Sequence, residues 1–235
     1  MNTEIPDFIA PPLWSTVLFL GVIFGVQGML LFAIHRAHGR RGVMVGGLAF
    51  VVVLVGTALL ARSGLLRAGG MPPRVLLYFG ATNLGALALA VTAPGRALAS
   101  AVPAAFWLLF QSFRLPLEVA LHAFGTAGTI PPQMTWSGEN LDVITGVVSL
   151  VLGAVLLLRP RLKAAGWLGH AVGIALLANV ARVALLSAPT PFKSFEGPPL
   201  QLPLHVPYTW IVPFAVAAAL FGHVVGLRSL RLRIP

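Results

Sequence analysis

Apolar runs of about 18–22 residues recur from one end of this chain to the other, each long enough to cross a ~30 Å hydrocarbon core as a helix. Lipid offers no partner for open backbone N–H and C=O groups, so such runs fold as helices that satisfy themselves. Only 9% of the 235 residues are charged and 57% are hydrophobic. A soluble domain carries roughly 25% charged residues, so this chain has too little polar surface to face water on all sides. The expectation is an all-α, polytopic transmembrane bundle forming a single domain over residues 1–235. Its seven spans fall at about residues 12–34, 43–61, 75–94, 98–125, 141–158, 166–188 and 207–227. Gly- and Pro-rich joints such as "HRAHGRRG", "TAPGR" and "RPRLKAAG" separate them, as turn chemistry requires.

The formal charge of +10 would suggest nucleic acid in a soluble protein. Here the basic residues cluster at span ends, where they report topology and contact anionic lipid, and no nucleic-acid partner is expected. With the amino terminus outside, the inner segments hold Arg36, Arg40, Arg41, Arg96, Arg159, Arg161, Lys163, Arg228, Arg231 and Arg233. The outer loops hold only Arg62, Arg67, Arg74 and Lys193. All six acids, Glu4, Asp7, Glu118, Glu139, Asp142 and Glu196, fall at or near the outer side. Trp14, Trp136, Trp210 and Trp167 sit near span ends, where an interfacial belt places them. The amino-terminal "MNTEIPDF" is acidic where a signal peptide is basic, so the first run reads as a span. There is no cysteine, which removes disulfides, thiol catalysis and thiolate metal sites together. Arg far outnumbers Lys beside abundant Ala and Gly, a composition that fits a bacterial inner-membrane protein from a GC-rich genome.

Against this background the stretch "FRLPLEVALH" is unusual. Gln111, Arg114, Glu118 and His122 recur at helical spacing and share one face. Counted from Leu98 at ~1.5 Å per residue, Arg114 stands roughly 24 Å and Glu118 roughly 30 Å up the fourth span, in its outer half. Pro116 should kink the helix between them. An ionised group at membrane depth costs about 3 kcal/mol or more, and Arg114 and Glu118 can offset one another as an i,i+4 pair. One reading is a structural fastener; the other is a functional pocket.

Other spans bring polar groups to the same outer half. Glu139 and Asp142 stand at the amino-terminal end of the fifth span, where carboxylates suit the helix dipole. Asn179 and Arg182 share a face of the sixth, with Glu118 or Asp142 as the natural partners of Arg182. Tyr78, Thr82 and Asn83 lie in the outer part of the third, and Gln27 is alone near mid-depth in the first. Convergence of several helices is what a ligand cavity requires. Arg114 and Arg182, with Asn179, Asn83, Tyr78 and Glu139, suit an anionic head group. Glu118 with His122, and Asp142, suit proton transfer. The Pro-rich loops "GTIPPQMTWSGEN" and "SAPTPFKSFEGPPLQLPLHVPYTW" are expected to fold over the cavity, with His205 and Tyr208 able to join it.

No metal is assigned, because Glu118, His122, Glu139, Asp142 and His205 follow no ligand spacing such as HExxH. His170 and His223 match in depth near the inner side, so a bis-His haem is geometrically open, and the cofactor stays unknown. A retinal protein needs a lysine inside the last span; the two lysines, Lys163 and Lys193, both lie in joints.

The segments "FRLPLE", "IPPQMTWSGENLDVITG" and "SAPTPF" together resemble a bacterial family of integral membrane proteins of about this length with no known activity. The resemblance covers roughly residues 105–230 and implies the same seven-span architecture, with no catalytic residues attached. Three functions remain open from the residues. The first is binding or processing of an amphiphilic, anionic lipid or lipid-linked substrate from the outer side. The second is transport, as a proton-coupled carrier. The third is a non-catalytic subunit with partners in the membrane.

Overall fold

The computed structural model describes residues 6–67 and 71–232; Glu4 and Arg233, which entered the charge bias, lie outside them. The chain is 78% helical, with no strand among the described residues. Five helices are long and apolar enough to cross a membrane, and a sixth, Asp142–Leu158, is apolar but shorter. Large apolar side chains stand exposed along the outside, among them Phe24, Phe32, Met44, Leu48, Val52, Leu59, Leu84 and Val151. Water would penalise that surface, and lipid does not.

The first helix, α1 (Leu13–Arg62), is one unbroken element in hydrogen bonding except at Gly39, whose φ of 65° and ψ of −157° are non-helical. The joint expected between residues 34 and 43 has contracted to that one glycine, since other residues resist a positive φ. The chain doubles back there: a Cβ on Gly46 would lie 3.0 Å from Ile34 and 3.4 Å from Leu31. Small residues let the two arms approach that closely.

Next come α2 (Arg74–Val91) and a short α3 (Ala93–Ala101). The fourth span was expected to begin near residue 98, but the helix breaks at Val102, which is extended at φ −132° and ψ 153°. Pro103 forces this, because its ring disfavours helical geometry in the residue before it. The span instead comprises α4 (Ala104–Phe110), a 3₁₀ turn at Gln111–Phe113 and α5 (Arg114–Thr126). Pro116 cannot donate to the Ser112 carbonyl, and the helix is irregular at that carbonyl, one turn before the expected kink. From Ala104, Arg114 is roughly 15 Å and Glu118 roughly 21 Å along the axis. Both are therefore deeper than the longer span implied.

Then follow α6 (Asp142–Leu158) and α7 (Lys163–Ser187). The last span enters through a 3₁₀ turn at Tyr208–Trp210 and a π-helical turn at Val212–Ala217 around Pro213, and ends as α8 (Ala218–Arg231). The α4–α5 and α8 spans are the most buried; α6 and α7 pack on one side of them, and α1 and α2 on the other. Glycines set the approach of α6 to α4–α5. A Cβ on Gly146 would meet the Leu115 side chain at 2.6 Å, and one on Gly153 would meet Leu109 at 2.8 Å.

Candidate functional site

Arg114 and Glu118 do face the interior, each 1% exposed, but they do not pair with each other. Arg114 Nη1 donates to Asp142 Oδ1 in a buried ion pair between α5 and the first turn of α6. Its Nε and Nη2 have no partner among the described residues. The two carboxylate oxygens of Glu118 each accept from Asn140 Nδ2 at 3.0 Å. Asn140 is fully buried; its amide also reaches the Met134 carbonyl at 3.1 Å, and its Oδ1 accepts the Asp142 N–H at 3.0 Å. One asparagine therefore caps α6, ties the "IPPQMTW" loop to it and holds Glu118. The sequence reading passed over Asn140. Its signal was the position, since Asn just before an apolar helix is a preferred cap.

Glu118 thus has a neutral amide where the i,i+4 arrangement offered a guanidinium. The reason is reach. Asp142 enters at the level of Arg114 from the neighbouring helix, and the irregular turn at Gln111–Phe113 resets the register below it.

The anion clamp does not assemble. Arg182 lies exposed on α7 and donates from Nη2 to Glu139 Oε2 at 2.5 Å and to Asn179 Oδ1 at 3.1 Å. Asn179 donates to the Glu139 carbonyl at 2.7 Å. Arg182 therefore engages neither Glu118 nor Asp142, and the two guanidiniums are committed to separate carboxylates. Side-chain exposures of 49% and 44% place the Arg182–Glu139 pair where such bridges contribute less than about 1 kcal/mol. Arg182→Ala is expected to leave thermal stability nearly unchanged, and a loss of many degrees would show that it anchors the loops.

His122 does not contact Glu118 either. Its ring stacks on Trp136 with centroids 4.3 Å apart and planes 11° apart. Tyr78 donates to the Thr209 carbonyl at 3.0 Å, bracing α2 against the last span. Asn83 donates to the Phe79 carbonyl of its own helix at 2.8 Å. His205 stacks on Phe8 at 3.9 Å and lies 2.9 Å from Arg67 Nη2. Burial and the Arg67 charge lower its pKa. Tyr208 bonds to Thr16 at 2.9 Å. These residues brace the helices and loops around them, and none of the hydrogen bonds or ring contacts just described involves Glu118.

A cavity of about 70 Å³ adjoins the cluster, with Arg114, Glu118 and Asp142 at one end. The rest of its wall is apolar, from Phe113 and Leu117 of the central span, Leu177 and Ala184 of α7, and Val212 and Val216 of the last span. Both long loops reach it, through Met134 of the first and Leu200, Leu202 and Pro203 of the second. Space of this size beside charged groups can admit water.

Below the ion pair, buried polar atoms without partners among the described residues continue along four spans, the central one, α6, α7 and α8. They are Gln111 Oε1, Thr145 Oγ1, Ser149 Oγ and the Nε2 atoms of His170 and His223. The two histidine Nδ1 atoms lie 3.0 Å apart. In this arrangement the two imidazoles bond to one another and leave no room for an iron between them. Among the described residues no three His, Asp or Glu side chains gather as metal ligands.

Fold and site define an all-helical membrane protein with a buried, charged cluster toward one end of its bundle. No family, curated protein or solved structure matches the chain.

Proposed function

We propose that the protein is a proton-coupled carrier of the bacterial inner membrane, crossing it seven times with its amino terminus outside, and that Glu118 is its proton-binding carboxyl. Counting the two arms of α1 separately, together with α2, α4–α5, α6, α7 and the last span, supports the seven crossings. The charge bias supports the orientation. The observation that carries the function is the pairing of Glu118. It is a carboxyl 1% exposed whose two oxygens, among the described residues, accept only from the Asn140 amide, while the nearby arginine is engaged by Asp142. A carboxyl neutralised permanently by arginine serves packing. One held by a neutral amide beside a small cavity can take up and release a proton without breaking an ion pair.

The test is proton flux into liposomes of the purified protein, driven by a potassium diffusion potential and read with an enclosed pH dye. Wild type is expected to acidify the lumen, and Glu118→Gln, of the same shape, to lower the rate at least tenfold. Wild-type vesicles that match empty ones, or a Glu118→Gln variant that conducts as wild type does, overturn the proposal.

A further inference from the structure

Two short segments read alike, His170-Ala-Val-Gly173 in α7 and His223-Val-Val-Gly226 in α8. The helices run antiparallel, and the segments interlock. A Cβ on Gly173 would lie 2.6 Å from His223 Nε2, and the notch of Gly226 receives the His170 ring. Each helix thus makes, with one glycine, the space for the other's imidazole. Both rings are fully buried, nearly perpendicular at 89°, and joined Nδ1 to Nδ1 at 3.0 Å.

That contact constrains the protons. A neutral imidazole carries one N–H and one lone pair, so an Nδ1–Nδ1 hydrogen bond needs one ring protonated at Nδ1 and the other at Nε2. The two Nε2 atoms, each set in the other helix's glycine notch, are then one acceptor and one donor. Both lack a partner among the described residues, which is unusual for groups so deeply buried.

We infer that His170 and His223 form a proton-relay dyad, the inner station for protons handled at Glu118. The inference rests on the carrier reading above. The step balances in atoms and charge. A proton binds the free Nε2 lone pair of the first ring, whose Nδ1 proton then crosses to the Nδ1 of the second. The second ring releases its Nε2 proton. One proton has moved across the pair, each ring is again neutral, and the two tautomers have exchanged. Another passage in the same direction requires the tautomers to revert.

Two polar side chains, Thr145 and Gln111, pack beside the dyad on the side of the Arg114–Asp142 pair. The Gly173 notch that borders His223 also lies 3.1 Å from Thr145 Cγ2, and Thr145 is one turn below Asp142 on α6. Gln111 donates to the Ala219 carbonyl at 3.1 Å and packs on Gly222, beside His223. The elements packed around the dyad are α4, α6, α7 and α8. The nearby charged groups are Arg114, at the start of α5, whose field reaches His223, and its partner Asp142 at the start of α6. On the other side of the dyad Leu108 packs into the Gly169 notch, and Leu156 and Leu230 into that of Gly166.

The experiment combines flux with two spectroscopic readings on the full chain. In nitrogen-15 NMR of wild type, two histidines are expected in opposite tautomers with coupling across the Nδ1–Nδ1 bond. In liposomes, His170→Gln and His223→Gln are each expected to lower proton flux at least tenfold. Both variants should keep the infrared carbonyl band of protonated Glu118, which Glu118→Gln removes. Two rings in the same tautomer, or histidine variants that conduct as wild type while Glu118→Gln does not, overturn the dyad and leave the carrier standing. Wild-type vesicles that do not conduct overturn both.

Discussion

Asp142→Ala is expected to destabilise the protein by about 3–5 kcal/mol, because it strands a buried guanidinium without a counter-charge. Arg114 is 1% exposed. Two of its nitrogens already lack a partner among the described residues, so losing Asp142 removes its one anion. The measurement is thermal unfolding in detergent or nanodiscs. Removing both charges should behave differently. Arg114→Met with Asp142→Leu replaces the pair by apolar groups of similar volume, and such replacements are often neutral or stabilising. The double variant is therefore expected to regain most of the lost stability. If Asp142→Ala is as stable as wild type, the pair does not hold α5 to α6. If the double variant is no better than the single one, the loss comes from packing and not from charge.

The second large effect is expected at Asn140. Its side chain serves both oxygens of Glu118, the Met134 carbonyl and the Asp142 N–H. Asn140→Ala leaves several buried groups unsatisfied at roughly 1–3 kcal/mol each, so a loss of about 3 kcal/mol or more is expected. It should also alter proton handling, since Glu118 loses both hydrogen bonds. Asn140→Asp is the sharper probe. It keeps the shape but places an anion against Glu118, so proton flux should fall even where the fold survives. Unchanged stability in Asn140→Ala would mean that water replaces the amide, and that the cap does not organise the site.

These two residues mark where reading the sequence worked and where it stopped. Asp142 was legible because an acid among apolar residues is conspicuous, and helical spacing put Arg114 and Glu118 on one face without any structure. Their partners were not legible. Spacing along one helix favoured Arg114 with Glu118, yet the partner came from α6, because the turn at Gln111–Phe113 and the glycines at 146 and 153 set how the two helices meet. Arg182 had no acid on its own helix, and the deeper acids looked natural for it. It instead stays exposed and takes Glu139, a half-exposed acid of the loop before α6. The histidines at 170 and 223 were matched in depth from sequence, but depth alone could not separate a haem from a hydrogen bond. The reciprocal glycines settle that, and the repeated His-x-x-Gly spacing was visible in the letters.

By itself the sequence determined that the chain is helical and built for lipid, because hydrogen-bonding need and hydrophobic length act along the chain and need no neighbour. It also determined which side chains are too polar to be there by accident. Only the tertiary structure decided which of those side chains meet, because a charge in the bilayer chooses among partners by distances of a few ångströms. Those distances depend on where Pro103 and Pro116 interrupt a helix and where a glycine lets the next one come close.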